Sequence, residues 1–422
     1  MRRASPVLFA VNDFPPVLGG ESTLYYGLAR HLPRGEFLIL APSGRGAAEV
    51  DASLGVEVVR RWLPAHRGTP SRVIRGALAS LSMARLLAAR RAGYLLCGQL
   101  LSLGVPTRAL ARLARLPYAV FVHGADLADY QGRFPWSGLA RWVVAGAEVV
   151  IVNSRFTADL VAGLLPGAAR RVVVLPMGVD PPRRAAATEI ERLKRRYGLG
   201  EGPVLLSVAR LIEIKGHDIV IESLPDLLER FPQLSYLIVG SGPSRPRLER
   251  LAAERGVAGR VVFAGAVPSG DLPAHFALAT LFVQLSRLGG HGDGVEGFGL
   301  SLLEAASYGL PVIAGRTGGV PEAVREGRSG LLVPPLEPHA FAAAVVRLLA
   351  DPQERARMSR DARRWAGDHS WERSARRLLA ALRDGRAGAV RAAEGRPPQF
   401  REDSSREATV FRRLEGWIGF GM

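Results

Sequence analysis

Residues 295–315 read VEGFGLSLLEAASYGLPVIAG. Gly297 and Gly299 let the backbone turn tightly, Leu300 to Tyr308 carries the apolar spacing of a helix, and PVIAG (311–315) is a short strand-like run. Turn, helix and strand in succession form the unit from which helix-covered parallel sheets are built. Two acids punctuate the stretch. Glu296 precedes the turn, Glu304 lies within the helix, and the amides of Phe298, Gly299 and Leu300 stand at the helix start. Helix-start amides bind anions and carboxylates accept hydrogen bonds from hydroxyls, so the layout suits a ligand with phosphate at one end and sugar at the other. Nucleotide sugars have that form. A surface helix carrying two ordinary glutamates after a glycine-rich turn has the same spacing, and this stretch alone does not separate the two readings.

The same alternation extends in both directions. Apolar, β-rich runs occur at 7–13, 36–42, 56–62, 94–99, 118–124, 148–154 and 171–178, and a second series at 203–210, 234–242, 260–266, 281–286, 311–315 and 330–335, with helical stretches between them. Such series predict two doubly wound α/β domains, residues 1–178 and 179–390, facing each other across a cleft with ligands at the carboxyl ends of the strands. GVDPPRRAAATEIERLK (178–194) marks the linker through Pro181, Pro182 and its charges. Residues 352–385 read as helical and as closing the second domain. A tail, 391–422, turns polar and then carries Phe411, Leu414, Trp417, Ile418 and Phe420. It either packs back on the body, touches a membrane or is disordered.

Composition narrows the function classes. A chain of 422 residues, 48% hydrophobic and 23% charged, exceeds one hydrophobic core. No uncharged apolar run reaches the roughly 18 residues of a spanning helix, and Asn12, Asp13 and a proline pair interrupt the first apolar run before it could serve as a signal peptide. Cys97 stands alone, which fits a reducing cytoplasm. The net charge is +17, and residues 1–178 hold 21 arginines against 10 acidic residues. That excess suits an anionic membrane surface or follows from an arginine-rich composition. Without a Cys/His zinc set or a basic run interleaved with aromatics, nucleic acid is not an expected partner.

Against this arginine background Lys194 and Lys215 are the only lysines. Lys194 belongs to a solvated helical run. Lys215 sits in a loop beside Gly216, five residues after Arg210 at the end of the strand LLSVAR. Two cations there could stabilise the charge that develops on a departing diphosphate, or could be solvated surface groups. Gly19 and Gly20, in NDFPPVLGGEST, precede a helix start and allow a backbone to approach a ligand, as they would an ordinary turn. His123 ends the strand of VHGAD, where it is either a structural histidine or a cleft residue. GSGPSR (240–245) lacks the third glycine of a dinucleotide fingerprint, which argues against hydride transfer. With no Asp-x-Asp motif and no clustered Cys/His set, no protein-ligated catalytic metal is expected.

The ordered set formed by the GG loop, VHGAD, NSRFTADL, LPMGVD, SVARLIEIKGHD, LIVGSGP, FAGAV, EGFGLSLLE and AGRTGGVPEAVREGRSGLLV resembles the retaining glycosyltransferases of family 4, which have the GT-B architecture. The resemblance runs from residue 7 to about 385. Within that family, NDFPPVLGG and SRLGGHGDGVEGFG are similar to bacterial phosphatidyl-myo-inositol α-mannosyltransferases. The resemblance implies that Arg210 and Lys215 hold the donor diphosphate, with the amides of Phe298, Gly299 and Leu300 and the Gly19–Gly20 loop. It further implies that Glu304 binds the ribose, Glu296 the transferred sugar's hydroxyls, His123 the sugar near the reacting carbon, and that Val267 lines the base pocket. The expected reaction moves a hexose from GDP-mannose or a UDP-sugar to a lipid-linked or envelope saccharide in the cytoplasm, at the inner face of the membrane. No cofactor beyond the nucleotide sugar is implied. A nucleotide-sugar epimerase of the same architecture, or a non-catalytic nucleotide-sugar-binding protein, are the alternatives.

Overall fold

The computed structural model describes residues 6–17, 19–61, 69–90, 92–128, 135–289 and 294–386. The tail at 391–422 lies outside them. Every strand-like run of both series forms a strand. The first series gives β1 (Val7–Ala10), β2 (Phe37–Pro42), β3 (Glu57–Arg61), β4 (Tyr94–Cys97), β5 (Tyr118–Val122), β6 (Val149–Val152) and β7 (Val172–Val174). The second gives β8 (Val204–Val208), β9 (Ser235–Val239), β10 (Val261–Gly265), β11 (Leu281–Gln284), β12 (Val312–Gly315) and β13 (Gly330–Val333). Runs such as VVIV in β6 are apolar on both faces because helices cover both faces of a parallel sheet.

The first sheet has the order β3-β2-β1-β4-β5-β6-β7 and the second β10-β9-β8-β11-β12-β13, all strands parallel. In each sheet the order reverses beside the first strand of its series, β1 in one and β8 in the other. Loops leaving the carboxyl ends there splay apart and open the crevice in which doubly wound sheets hold ligands.

Helices that matter for the site are α1 (Gly20–Ala29), α2 (Arg155–Leu164), α3 (His217–Arg230), α4 (Leu300–Ser307), α5 (Pro352–Gly367) and α6 (Trp371–Arg386). Helix α5 packs on α4 and so closes the second half as the sequence predicts. Helix α6 does otherwise: it crosses to the first half and packs on α1. Trp371, 2% exposed, fills the space beside Gly27, where an added Cβ would come within 2.3 Å of the indole ring. Ser374 Oγ donates to the Pro176 carbonyl at 2.7 Å, and the Val179 amide donates to the His369 carbonyl at 2.9 Å. One hydrophobic cluster therefore runs through both halves, from Phe9 and Tyr25 to Leu302, Trp371 and Leu378. Each such fully buried large side chain contributes about 1.5–3 kcal/mol. The crossing is invisible in the sequence because α6 has helical spacing whichever half receives it.

Candidate active site

Lys215 and Glu296 form an ion pair in which the ammonium donates to Oε2, with side chains only 15% and 13% exposed. The local backbone explains the meeting. Gly216 is left-handed at φ 68°, and a Cβ on it would lie 2.1 Å from the Leu285 carbonyl oxygen, so the loop carrying Lys215 lies directly on the end of β11. That strand end supplies two further donors to Glu296 Oε2, Gln284 Nε2 at 3.0 Å and Ser286 Oγ at 3.2 Å. Ser301 Oγ, in the first turn of α4, donates to Gln284 Oε1 at 2.9 Å and fixes that amide's orientation. Burial pushes the Glu296 carboxyl up, but Lys215, Ser286 and the charge of Arg210 outweigh it and hold the group below the usual carboxylate range. Glu296 is thus a largely shielded, ionised, oriented acceptor.

Behind the cations lies a neutral buried network. His217 opens α3 with Nδ1 2.8 Å from the Tyr236 hydroxyl and Nε2 3.4 Å from the Arg210 carbonyl. Tyr236 reaches Ser207 Oγ at 2.9 Å. Burial lowers the His217 pKa to about 4, so this prop carries no charge to compete with Arg210 and Lys215. Arg287 grips Asp218 through two hydrogen bonds of 3.1 and 2.8 Å and fixes the start of the same helix.

The loop after Glu296 touches the first half. A Cβ on Gly297 would fall 2.3 Å from the His123 carbonyl oxygen and 2.7 Å from Asn153 Nδ2, and one on Gly319 would fall 2.0 Å from the Gly297 carbonyl oxygen. The EGFG turn is therefore sandwiched between Gly319 and the ends of β5 and β6. Beside it Glu322 accepts hydrogen bonds from the backbone N–H groups of Arg155 at 2.9 Å and Phe156 at 3.1 Å, at the amino end of α2. A carboxylate there meets the positive end of the helix dipole.

His123 itself is buried, 7% exposed, and its ring stacks on Phe121 with centroids 5.9 Å apart. Nε2 lies 2.6 Å from the Tyr25 hydroxyl, 2.9 Å from the Gly98 carbonyl and 4.0 Å from Glu21 Oε2. The His123 amide donates to Asp126 Oδ1 at 3.1 Å. Burial pushes the Asp126 carboxyl up to about 6, with His123 pulling it down and Glu21 adding to the rise.

Of the residues singled out from sequence, Lys215 and Glu296 meet directly, Arg210 is close enough for its charge to act on Glu296, and His123 joins them through Gly297. Arg210 is exposed. Phe298 is 3% exposed and Gly299, at φ 95°, leads into α4. Leu300 is the first residue of that helix. Glu304 lies further along it; burial, and after it the charge of Asp180 in the linker, raise its pKa to about 7. Gly19 stands at the N-cap of α1 and Gly20 begins it, with no atom within 4 Å of a Cβ on either, so packing does not explain the pair. Val267 follows β10, two strands away from β8, and is partly buried against the core. Gln284, Ser286, Tyr25, Asn153 and Glu322 also stand at the site, beyond the residues singled out from sequence. Gln284 and Ser286 carried a signal, two polar residues spaced by two at the end of an apolar strand; the others carried none. Among the described residues no group of three or more His, Cys, Asp or Glu could hold a metal ion.

Two doubly wound parallel-sheet halves of this kind are the architecture of the GT-B class of glycosyltransferases. The chain belongs to that class's family of glycosyl transferases group 1, whose description matches residues 189–365, while residues 19–178 match the glycosyl transferase 4-like domain. It is 35% identical over 401 residues to the GDP-mannose-dependent alpha-(1-6)-phosphatidylinositol monomannoside mannosyltransferase of Mycolicibacterium smegmatis, covering 92% of this chain and 100% of that protein. It is 34% identical over 273 residues to the 2-deoxystreptamine glucosyltransferase of Streptomyces kanamyceticus, covering 61% of this chain and 68% of that protein. Among solved structures, Anabaena HepE in complex with UDP superposes with a TM-score of 0.72 at 21% identity, covering 90% of this chain and 100% of that chain. The fold and class expected from sequence are those found, and nothing favours an epimerase.

Proposed function

We propose that this glycosyltransferase moves mannose from GDP-mannose to a phosphatidylinositol mannoside or a related lipid-linked saccharide, with retained α configuration. The observation that carries the reading is the Lys215–Glu296 pair, held under the same loop whose Gly297 lies on the His123 carbonyl. The full-length likeness to the mycobacterial mannosyltransferase supports the choice of donor and acceptor. In this reading the second half, through α5, is the donor side, and the first half, with α6 packed on it, is the acceptor side.

In this reading Arg210 and Lys215 hold the donor diphosphate, with the amides of Phe298, Gly299 and Leu300 and the Gly19–Gly20 loop. Glu304 accepts from the ribose hydroxyls, Val267 lines the base pocket, and Glu296 accepts from the mannose hydroxyls. The bond between the anomeric carbon and the diphosphate oxygen breaks while the acceptor hydroxyl oxygen bonds to that carbon on the same face. The acceptor's proton goes to the departing phosphate oxygen. Fixed cations stabilise the charge that grows on the leaving group more than they stabilise the ground state. Glu296, ionised yet engaged by Lys215, Gln284 and Ser286, orients the sugar and does not attack it. No protein-bound metal is invoked. The positive excess of residues 1–178 would hold the enzyme on the anionic inner leaflet.

Thermal stabilisation by a panel of GDP- and UDP-sugars, followed by transfer of labelled mannose to phosphatidylinositol mannosides, tests the reading. Stabilisation by a UDP-sugar and not by GDP-mannose would overturn the donor assignment.

A further inference from the structure

We propose that Gly98 and Tyr25 act together as positioning residues: the Gly98 carbonyl holds the His123 imidazole in its Nε2–H tautomer and the Tyr25 hydroxyl steadies the ring there, so that Nδ1 is the ring atom offered as an acceptor to a hydroxyl of the donor hexose. The inference deepens the functional reading above and rests on it for the identity of the ligand.

The protons available at this junction fix the tautomer. Three atoms meet pairwise: His123 Nε2 with the Tyr25 hydroxyl at 2.6 Å, His123 Nε2 with the Gly98 carbonyl at 2.9 Å, and the Tyr25 hydroxyl with the same carbonyl. A carbonyl only accepts, and a phenol has one proton. Were Nε2 bare, its lone pair would face the Gly98 carbonyl's lone pairs, and the single phenolic proton could satisfy only one of Tyr25's two contacts. With the proton on Nε2 every contact is satisfied: Nε2–H donates to the carbonyl and to the phenol oxygen, and the phenol donates to the carbonyl. Burial raises the Tyr25 pKa well above its usual value, with Glu21 adding to the rise, so the phenol keeps its proton.

The local chain is shaped for this meeting. A Cβ on Gly98 would lie 2.8 Å from the Tyr25 ring and hydroxyl, so glycine there lets the ring reach the carbonyl. Tyr25 is fully buried, its ring edge-on to Phe9, Phe121 and His123 with centroids 5.5, 5.6 and 5.8 Å apart. A side chain fixed on three sides by aromatics cannot turn its hydroxyl elsewhere. Glu21, the carboxylate nearest Nε2 at 4.0 Å, favours a proton on the same nitrogen and is itself held by Gln99 Nε2 at 2.9 Å. Nδ1 has no hydrogen-bond partner among the described residues, which leaves it as the ring's acceptor. Neutral histidine with Nε2 protonated has one lone pair, on Nδ1, and a sugar hydroxyl is the donor that the class of reaction brings there.

Long-range proton–nitrogen spectra of the histidine-labelled full chain test the tautomer directly, with His123 assigned by its loss in His123→Asn. The expected pattern is Nε2–H in the wild type and, because the Gly98 carbonyl still faces Nε2, Nε2–H with a shifted and broadened resonance in Tyr25→Phe, which keeps the ring contacts but loses the bond to the phenol oxygen. In turnover assays Tyr25→Phe should lower kcat about tenfold while GDP affinity stays within about twofold, and His123→Asn, whose amide overlies Nδ1, should retain more activity than His123→Gln, whose amide reaches the Nε2 position. An Nδ1–H pattern in the wild type overturns the proposal whether or not any variant folds, as does a wild-type rate in Tyr25→Phe. Full activity in both His123 variants would instead remove His123 from the active site and overturn the reading on which the proposal rests.

Discussion

Lys215 donates to Glu296 from the opposite wall of a strand end, and both side chains are largely withdrawn from water. The pair joins a residue expected to face phosphate to one expected to face sugar. A cation shared in this way can shift toward an arriving diphosphate while Gln284 and Ser286 continue to hold the carboxylate.

Replacing Lys215 by alanine is therefore expected to lower kcat by about two to three orders of magnitude, the scale seen when one preorganised donor to developing charge is removed. Glu296 keeps two neutral donors, so the chain should still fold. Steady-state kinetics beside a far-ultraviolet spectrum check this, and near-normal turnover in a folded variant would exclude the diphosphate role.

Glu304 makes a pH prediction whose sign follows from its raised pKa of about 7, due first to burial and then to Asp180. Between about pH 4.5 and 7 the unfolded carboxyl ionises while the folded one keeps its proton, so stability falls as pH rises through that window and levels off above it. Glu304→Gln removes the penalty. Its melting temperature should exceed the wild type's at pH 8, and the gap should close below pH 5. Donor affinity should strengthen from pH 6 to 8 in the wild type, because the ionised carboxylate is the better acceptor for ribose hydroxyls, and should be flat in the variant. Titration calorimetry with GDP decides; a flat wild-type profile would remove Glu304 from the ribose.

Glu322 ties the second half to the amino end of α2. Glu322→Ala leaves the Arg155 and Phe156 amides and the positive helix end without that carboxylate, at a cost of about 0.5–2 kcal/mol to the closed arrangement, as for a lost helix cap. X-ray scattering with GDP present should show a larger radius of gyration for the variant; superimposable curves would mean that the contact does not set closure.

Trp371 is the strongest stability prediction. Trp371→Ala should cost about 3–5 kcal/mol in urea unfolding, since it empties a site between both halves. Gly27→Ala should also destabilise, because the new methyl meets the indole. A loss below 1 kcal/mol in Trp371→Ala would mean that α6 holds nothing together.

Anionic vesicles should retain the protein at low ionic strength and release it as salt rises past about 0.15 M, where screening acts within about 8 Å. Neutral vesicles should not retain it. Equal behaviour on both would reduce the excess of 21 arginines over 10 acids in residues 1–178 to composition alone.

The succession of strands and helices, the fold class and the glycine turns around Glu296 were legible in the chain, because buried parallel strands need continuous apolar runs and tight turns need glycine. Those are local requirements, and local sequence meets them. Which half receives α6, that Gly297 rests on the His123 carbonyl, and that Tyr25 and Gly98 together fix an imidazole 98 and 25 residues away were decided only in three dimensions. Contacts of that kind depend on packing between distant segments, and an apolar helix or a lone tyrosine reads the same whichever surface it meets.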